Sequence, residues 1–130
     1  MRSILIIDDD PSVLRMFSSA LAPLATVSTA TTGKEGLELL EKQRFDALIL
    51  DLHMPNVDGH AILDTLGSPK ALNHHTPVYV ATADDSTEAR VKAMRRRGVF
   101  FLTKPVSIRM LVNLVETLFA RSDRPPSPRK

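Results

Sequence analysis

The chain has 130 residues, 43% hydrophobic and 25% charged, which excludes a disordered chain or coiled coil and predicts one globular domain. It has no cysteine, so disulfides and thiolate metal sites are excluded, and no apolar run approaches the ~20 residues of a membrane span. The net charge is +2, but the last ten residues carry four basic groups and one acid, so the positive excess lies in the tail. We expect a cytoplasmic protein that binds neither membranes nor nucleic acid directly.

Five short runs of apolar and β-branched residues predict β-strands. Four of them are continuously apolar, which is typical of strands that are covered on both faces of a parallel sheet. The second run is more polar and predicts an edge strand. In chain order, the predicted strands cover residues 4–7, 26–30, 47–50, 78–81 and 99–102.

The segments between and after the strands contain helix signals, mainly a capping residue followed by apolar residues at helical spacing. The first helix is predicted to end near Leu21, a shorter helix covers residues 59–66, and the fourth reaches Arg97 and stops at Gly98. The last helix is the clearest, because apolar residues recur at i, i+3, i+4 and i+7 over residues 108–119. The predicted caps are Asp10, Thr32, Asp85 and Ser107.

This alternation predicts one α/β domain over residues 1–120, a right-handed, doubly wound, five-stranded parallel sheet with helices on both faces. Residues 121–130 contain three prolines and no apolar periodicity, which predicts a disordered tail or the start of a linker. We favour a linker that leads to a further domain.

Side chains suited to phosphoryl chemistry follow four of the predicted strands. Asp8 and Asp9 follow the first strand, Asp51 the third, Thr82 the fourth and Lys104 the fifth, and the carboxyl ends of parallel strands meet at one edge of a sheet. Clustered carboxylates repel one another, and a hard cation such as Mg²⁺ relieves that repulsion. A metal beside a lysine binds a phosphoryl group, and a nearby aspartate can attack it to form an acyl phosphate. The residue types leave open which aspartate is the nucleophile.

Over residues 3–120, these motifs resemble the response-regulator receiver domain of two-component signalling, of the chemotaxis-regulator type. The motifs are Ile-Leu-Ile-Ile-Asp-Asp-Asp-Pro at 4–11, Leu-Asp-Leu-His-Met-Pro-Asn-Val-Asp-Gly at 50–59, Thr-Ala at 82–83 and Lys-Pro at 104–105. The resemblance implies a flavodoxin-like (βα)5 fold with strand order 2-1-3-4-5 and Mg²⁺ as the cofactor. It also implies no enzymatic activity beyond the protein's own phosphorylation and dephosphorylation.

By this resemblance, Asp51 is the phosphorylated residue and also belongs to the metal site. Asp9 is implied to bind Mg²⁺ directly, and Asp8 to bind it mostly through water. The backbone carbonyl of His53 is implied to be a further metal ligand.

The remaining motif residues are implied to bind the phosphoryl group and to respond to it. Lys104, the Thr82 hydroxyl and the Ala83 amide would bind phosphoryl oxygens, and the peptide bond before Pro105 would be cis. Phe101 occupies the position of the family's switch aromatic. Movement of Thr82 toward the phosphoryl group would leave space that Phe101 fills, and this would rearrange the face formed by the fourth helix, fifth strand and fifth helix.

The implied partners are a sensor histidine kinase or histidine phosphotransfer protein, which donates the phosphoryl group, and an output domain or downstream protein. The His53 side chain and Asp84 occupy positions that tune the phosphate lifetime. Many winged-helix relatives carry acidic residues just before the switch aromatic, where this sequence has Val99 and Phe100. We therefore expect a monomer or a weak homodimer with an apolar contact.

Two other functions are less favoured by the residues. A haloacid-dehalogenase-like phosphatase also forms a phosphoaspartate, but such enzymes carry Asp-x-Asp at the nucleophile, whereas this sequence has Asp51-Leu52-His53. A receiver-like module that acts without phosphorylation would not need the complete set of acidic, hydroxyl and lysine side chains that is present.

Several residues also have ordinary structural interpretations. Phe101 is as compatible with an immobile core aromatic as with a switch, and His74 and His75 indicate a solvated loop rather than a metal site. As an exposed lysine at a strand end, Lys104 is expected to contribute little to stability. The basic fourth helix indicates a solvated face, with a docking surface for an acidic partner as the alternative. Its cations are Arg90, Lys92, Arg95, Arg96 and Arg97.

Overall fold

Five strands and five helices alternate along the chain in a computed structural model, which describes residues 2–84, 86–95 and 98–123. The strands are β1 (Ser3–Ile7), β2 (Thr26–Ala30), β3 (Ala47–Leu50), β4 (Val78–Thr82) and β5 (Val99–Thr103). The helices are α1 (Pro11–Leu21), α2 (Gly33–Lys42), α3 (Gly59–Leu66), α4 (Thr87–Ala93) and α5 (Ile108–Asp123).

The strands form one parallel sheet in the order β2-β1-β3-β4-β5, which confirms the predicted fold class and strand order. β1 lies between β2 and β3, and Ile7 is in register with Leu50. The residues that follow these two positions, Asp8 and Asp51, therefore leave neighbouring strands at the same edge of the sheet.

Helices cover both faces of the sheet. Helices α2, α3 and α4 pack on one face, and α1 and α5 pack on the other. β3 and β4 are buried at every position, as expected for continuously apolar strands inside a doubly wound sheet. β2 is at one edge, as its polar composition predicts.

The prediction that β5 is covered on both faces is wrong. β5 is the second edge strand, and Phe100 remains 48% exposed although its ring stacks on Tyr79 at a centroid distance of 5.1 Å. An edge strand has a neighbouring strand on one side only, so an apolar run does not guarantee full coverage.

Three predicted caps are confirmed. The side chains of Asp10 and Thr32 accept hydrogen bonds from backbone amides in the first turns of α1 and α2. The Ser107 hydroxyl accepts from the Met110 amide at 3.2 Å in α5. These bonds satisfy amide groups that have no partner within the helix.

The predicted bounds of α4 differ from the structure. Ser86 is the cap, accepting from the Ala89 amide, and the helix ends at Ala93 rather than Arg97. The chain leaves the helix early because the Gly98 carbonyl already accepts from the Val78 amide at 2.8 Å, beside β4. Asp85, Arg96 and Arg97 lie outside the described residues.

α5 continues to Asp123, three residues beyond the predicted end of the domain. The Ser122 hydroxyl donates to the Leu118 carbonyl at 3.1 Å within this last turn. Residues 124–130 of the predicted tail lie outside the described residues. None of the described helices combines the length and apolar character that crossing a membrane requires.

A buried polar network joins two loops at the amino-terminal ends of β3 and β4. Asn73 is 1% exposed, and its Oδ1 accepts from the Phe45 amide at 2.8 Å. Its Nδ2 donates to the carbonyls of Leu40 and Gln43 at 2.7 and 2.8 Å. The Thr76 hydroxyl lies 2.8 Å from the same Oδ1. Each polar atom of the Asn73 amide therefore has a partner in the last turn of α2 or in the loops that Asn73 connects.

Candidate functional site

Three carboxylates meet at the carboxyl edge of the sheet. Asp8, Asp9 and Asp51 each offer an oxygen, and these oxygens lie within 4.8 Å of one another. Asp8 and Asp51 are 2% and 8% exposed, whereas Asp9 faces solvent. A set of oxygen donors with one open side fits Mg²⁺, which prefers carboxylates and retains water ligands.

The turns after β1 and β3 orient the two buried carboxylates. Asp8 Oδ1 accepts from the Asp10 amide at 2.9 Å, just before α1 begins. The Asp51 amide donates to the Ile7 carbonyl at 3.0 Å, which carries the pairing of β1 and β3 one residue further. Asp51 Oδ1 accepts from the His53 amide at 3.3 Å. Each carboxylate is thus held by its own backbone turn.

Gly59, the first residue of α3, fits closely against the Asp51 backbone. A Cβ atom at this position would lie 2.4 Å from the Asp51 carbonyl oxygen, so a larger residue would displace the loop. The Gly59 amide donates to the Leu52 carbonyl at 2.8 Å, and Asp58 caps the helix by accepting from the Ala61 amide at 3.0 Å. These contacts fix the position of the segment that carries Asp51.

Lys104 connects the two buried carboxylates. Its Nζ lies 2.7 Å from Asp8 Oδ2 and 3.2 Å from Asp51 Oδ2, and its side chain is only 20% exposed. The description of Lys104 as an exposed strand-end lysine is therefore wrong, because the chain beyond β5 turns it into the acidic centre. The Lys104–Pro105 peptide bond is cis, as the family resemblance implies.

The protonation equilibria of this centre are displaced by burial and charge. Burial raises the pKa of Asp8, although the hydrogen bonds from Lys104 and the Asp10 amide oppose the increase. Burial would lower the pKa of Lys104, but the hydrogen bond to Asp8 and the charges of Asp51 and Asp8 raise it. Lys104 therefore stays cationic, while the ionised form of Asp8 is disfavoured and a further cation would stabilise it.

A second pair connects the loops that follow β3 and β4. The imidazole of His53 is hydrogen-bonded to the Asp84 carboxylate, and this bond and the Ser86 amide lower the pKa of Asp84 to about 2. The Asp84 amide donates to the Thr82 hydroxyl at 3.3 Å. Thr82 is buried at the end of β4, and Ala83 is exposed beside it.

Phe101 is half-buried on β5 and packs against the core beneath α4. The guanidinium carbon of Arg90 lies 4.7 Å from the centre of its ring, and Arg90 Nη2 lies 3.5 Å from the Thr103 hydroxyl. Arg90 is therefore not simply part of a solvated face. The sequence contains no local signal for this contact, because it joins residues on different elements.

Comparisons with known proteins agree with this architecture. The sequence matches the family model for the response regulator receiver domain over residues 4–116. It is 35% identical over 114 residues to the two-component response regulator ARR2 of Arabidopsis thaliana, a match that covers 85% of this chain and 17% of ARR2. It is 33% identical over 119 residues to the transcriptional regulatory protein PrrA of Mycobacterium tuberculosis, covering 91% of this chain and 50% of PrrA.

The fold is also similar to solved receiver domains. The BeF3-activated receiver domain of DrrB, a protein of Thermotoga maritima, superposes with a TM-score of 0.83 at 26% identity, covering 93% of this chain and 99% of that domain. The chain spans half or less of the length of ARR2 and PrrA. Its match nevertheless extends from β1 into α5, so the chain belongs to the response regulator receiver domain family.

Proposed function

We propose that Asp51 accepts a phosphoryl group from a histidine kinase or a histidine phosphotransfer protein in a Mg²⁺-dependent reaction. The observation that carries this proposal is the meeting of Asp8, Asp9 and Asp51 within 4.8 Å, with the Lys104 ammonium bonded to two of them. The protein would have no enzymatic activity beyond its own phosphorylation and dephosphorylation.

The donor set supports Mg²⁺ as the cofactor. The carboxylates of Asp8, Asp9 and Asp51 and the backbone carbonyl of His53 would hold the ion. When bound, Mg²⁺ offsets the repulsion between the carboxylates and stabilises negative charge on the phosphoryl oxygens.

In the proposed reaction, an oxygen of Asp51 attacks the phosphorus of the donor phosphohistidine. The new O–P bond forms as the P–N bond breaks, and the imidazole nitrogen keeps the electron pair and takes up a proton from solvent. Lys104, the Thr82 hydroxyl and the Ala83 amide bind the phosphoryl oxygens and align the group for transfer. The raised pKa of Lys104 keeps its ammonium charged throughout.

Hydrolysis resets the protein in this proposal. Water attacks the phosphorus of the acyl phosphate, inorganic phosphate leaves, and the Asp51 carboxylate is regenerated. The hydrogen-bonded pair of His53 and Asp84 joins the loops after β3 and β4, so these two side chains would control the access of water and tune the phosphate lifetime.

The proposed output is a change in the face formed by α4, β5 and α5. Thr82 would move toward the phosphoryl group, and the half-buried Phe101 would move into the space that it leaves. An output domain or downstream protein would read this face, with the receiver acting as a monomer or a weak homodimer. We also propose a cytoplasmic location for the protein.

Intact-mass measurement after incubation with Mg²⁺ and acetyl phosphate tests the assignment. We expect one added phosphate on the unsubstituted protein and none on Asp51→Asn. Asp46→Asn is the matched control, since Asp46 lies before β3 and its carboxylate accepts from the Ser3 amide instead. A full phosphate adduct on Asp51→Asn would show that another residue is the acceptor. Repeated turnover of a generic phosphomonoester would favour the phosphatase alternative.

Beryllium fluoride gives a second test that does not depend on a donor. With Mg²⁺ present, we expect this phosphoryl mimic to shift the backbone amide resonances around Asp51, Thr82 and Phe101, and to leave Asp51→Asn unchanged. The DrrB receiver domain has been solved in a BeF3-activated form, which motivates the choice of probe. Binding confined to residues far from β3 and β4 would contradict the proposal.

A further inference from the structure

A second concave site lies away from the acidic centre. It is a cavity of about 890 Å³ between the end of α3, the loop before β4, and α4. Leu63 and Ala93 give it an apolar floor, since both are buried in the core layer below. A volume of this size is typical of sites that enclose small ligands.

The polar lining of the cavity is mainly basic. Lys92 lies in the last turn of α4 and Arg95 in the turn that follows, and Asp64 is the one carboxylate among the described lining residues. Within the described ranges, no carboxylate forms an ion pair with Lys92 or Arg95. The two cations are therefore available to an anionic ligand.

The charge of Lys92 also acts on a side chain of α3 that lies outside the described lining of the cavity. The pKa of His60 on α3 is lowered, first by burial and next by the charge of Lys92. Nearby carboxylates, including Asp58 and Asp64, oppose this decrease without cancelling it. The positive charge of Lys92 therefore contributes to lowering the pKa of a side chain on the neighbouring helix.

Two imidazoles also line the cavity, from the loop that precedes β4. The rings of His74 and His75 meet edge to face with centroids 4.8 Å apart. His74 Nδ1 is 2.9 Å from the carbonyl of Leu66, at the end of α3, which fixes the ring beside the cavity. The exposed ring of His75 can contribute a hydrogen bond to an anion.

We propose that this cavity binds a small ligand that carries at least two phosphate groups. Two cations on consecutive turns can each contact one phosphate, and a guanidinium matches phosphate geometry with paired N–H donors. A cavity walled by three segments favours a compact ligand over an extended acidic peptide. None of the described lining residues belongs to the acidic centre, so binding can be tested on the unphosphorylated protein.

Pyrophosphate is the probe for the first experiment, in magnesium-free buffer with EDTA. Without a cation the carboxylates of Asp8, Asp9 and Asp51 repel anions, so the acidic centre does not compete for the probe. A titration followed by backbone amide resonances should give saturable shifts that include Gly67, His75, Ala93 and Gly98. ADP, titrated in parallel, distinguishes a ligand recognised by phosphates alone from one whose organic part also contacts the apolar floor.

The double variant Lys92→Gln/Arg95→Gln tests the role of the two cations. We expect it to weaken pyrophosphate binding by about tenfold or more, because hydrogen bonds to charged groups are lost. Lys34→Gln/Arg109→Gln removes the same two residue types from exposed positions on α2 and α5, and we expect it to change the affinity by less than about twofold.

Three results would overturn the proposal. The first is the absence of saturable binding at millimolar pyrophosphate. The second is equal weakening in both double variants, which would indicate a non-specific effect of net charge. The third is tighter binding of a hexaglutamate peptide than of pyrophosphate or ADP, which would assign the surface to an acidic protein segment instead.

Discussion

The two ends of the sheet bury polar groups in different ways. At the amino-terminal ends of β3 and β4, the neutral amide of Asn73 has a hydrogen-bond partner for each of its polar atoms. At the carboxyl ends, the carboxylates of Asp8, Asp9 and Asp51 lie together, and among the described residues the single ammonium of Lys104 contacts two of them, Asp8 and Asp51. The first network is electrically neutral and each polar atom of its central amide is hydrogen-bonded, whereas the second has an excess of negative charge.

This difference separates stability from function. A buried polar group with all its hydrogen bonds favours one arrangement of the core. A buried carboxylate without enough opposite charge destabilises the folded state, and a ligand that supplies the charge stabilises it. Burial raises the pKa of Asp8 at the carboxyl end, so the folded protein holds a carboxylate that is poorly matched to its surroundings. A cation and a phosphoryl group would complete this end of the sheet.

Substitution of Asn73 should have the largest effect on stability. Asn73→Ala leaves the Phe45 amide and the carbonyls of Leu40 and Gln43 without their buried partner, so we expect a loss of about 3 kcal/mol or more. Urea denaturation measures this loss, which should be the same with Mg²⁺ and with EDTA. Asn113→Ala, at an exposed position of α5, should change stability by no more than about 0.5 kcal/mol.

A loss that depends on Mg²⁺ would contradict this independence, because it would link the Asn73 network to the acidic end of the sheet. A loss no larger than that of Asn113→Ala would show that the segments at residues 40–45 and 73–76 find other hydrogen-bond partners at little cost in stability.

Substitution of Lys104 should have an intermediate effect that depends on solution conditions. Lys104→Met removes the one ammonium that, in the described part of the chain, is bonded to Asp8 and Asp51. We expect a loss of about 1–3 kcal/mol in EDTA at neutral pH, moderated by partial solvent screening. Saturating Mg²⁺ should recover much of this loss, since a ligand at about 100 times its Kd adds about 2.7 kcal/mol. Lys34→Met, at an exposed position of α2, is the control.

The pH dependence of this variant has a definite sign. The folded pKa of Asp8 lies above its ordinary value, so folding takes up a proton between those two values and stability falls as the pH rises through that window. Removing the Lys104 ammonium raises the folded pKa further and extends the window upward. The difference between Lys104→Met and the unsubstituted protein should therefore shrink as the pH is lowered. A difference that grows at low pH would contradict this account of the centre.

The strand ends were predictable because their signals are local. Asp8, Asp9 and Asp51 directly follow strongly apolar runs, and the geometry of a parallel sheet collects such residues at one edge. Asn73 and Arg90 were not identified as structural contacts, because their partners lie on other elements. The end of α4 was misplaced for a related reason, since pairing of Gly98 beside β4 overrides local helix propensity. The environment of Lys104 likewise depends on residues far away in the sequence.

Substitution of Arg90 should have the smallest effect on stability, because its contact with Phe101 is partly exposed. Arg90→Met keeps an unbranched apolar side chain but removes the charge over the ring, so we expect a stability change of about 0.5–1 kcal/mol. If this contact holds Phe101 in its present position, the same free energy shifts the beryllium fluoride midpoint about two- to fivefold lower. Arg90→Lys keeps the charge but lacks the planar group, so its beryllium fluoride midpoint should lie between those of Arg90→Met and the unsubstituted protein. Arg109→Met on α5 should leave the midpoint unchanged. An equal shift in that control would mean that net charge, rather than the ring contact, affects the proposed conformational change.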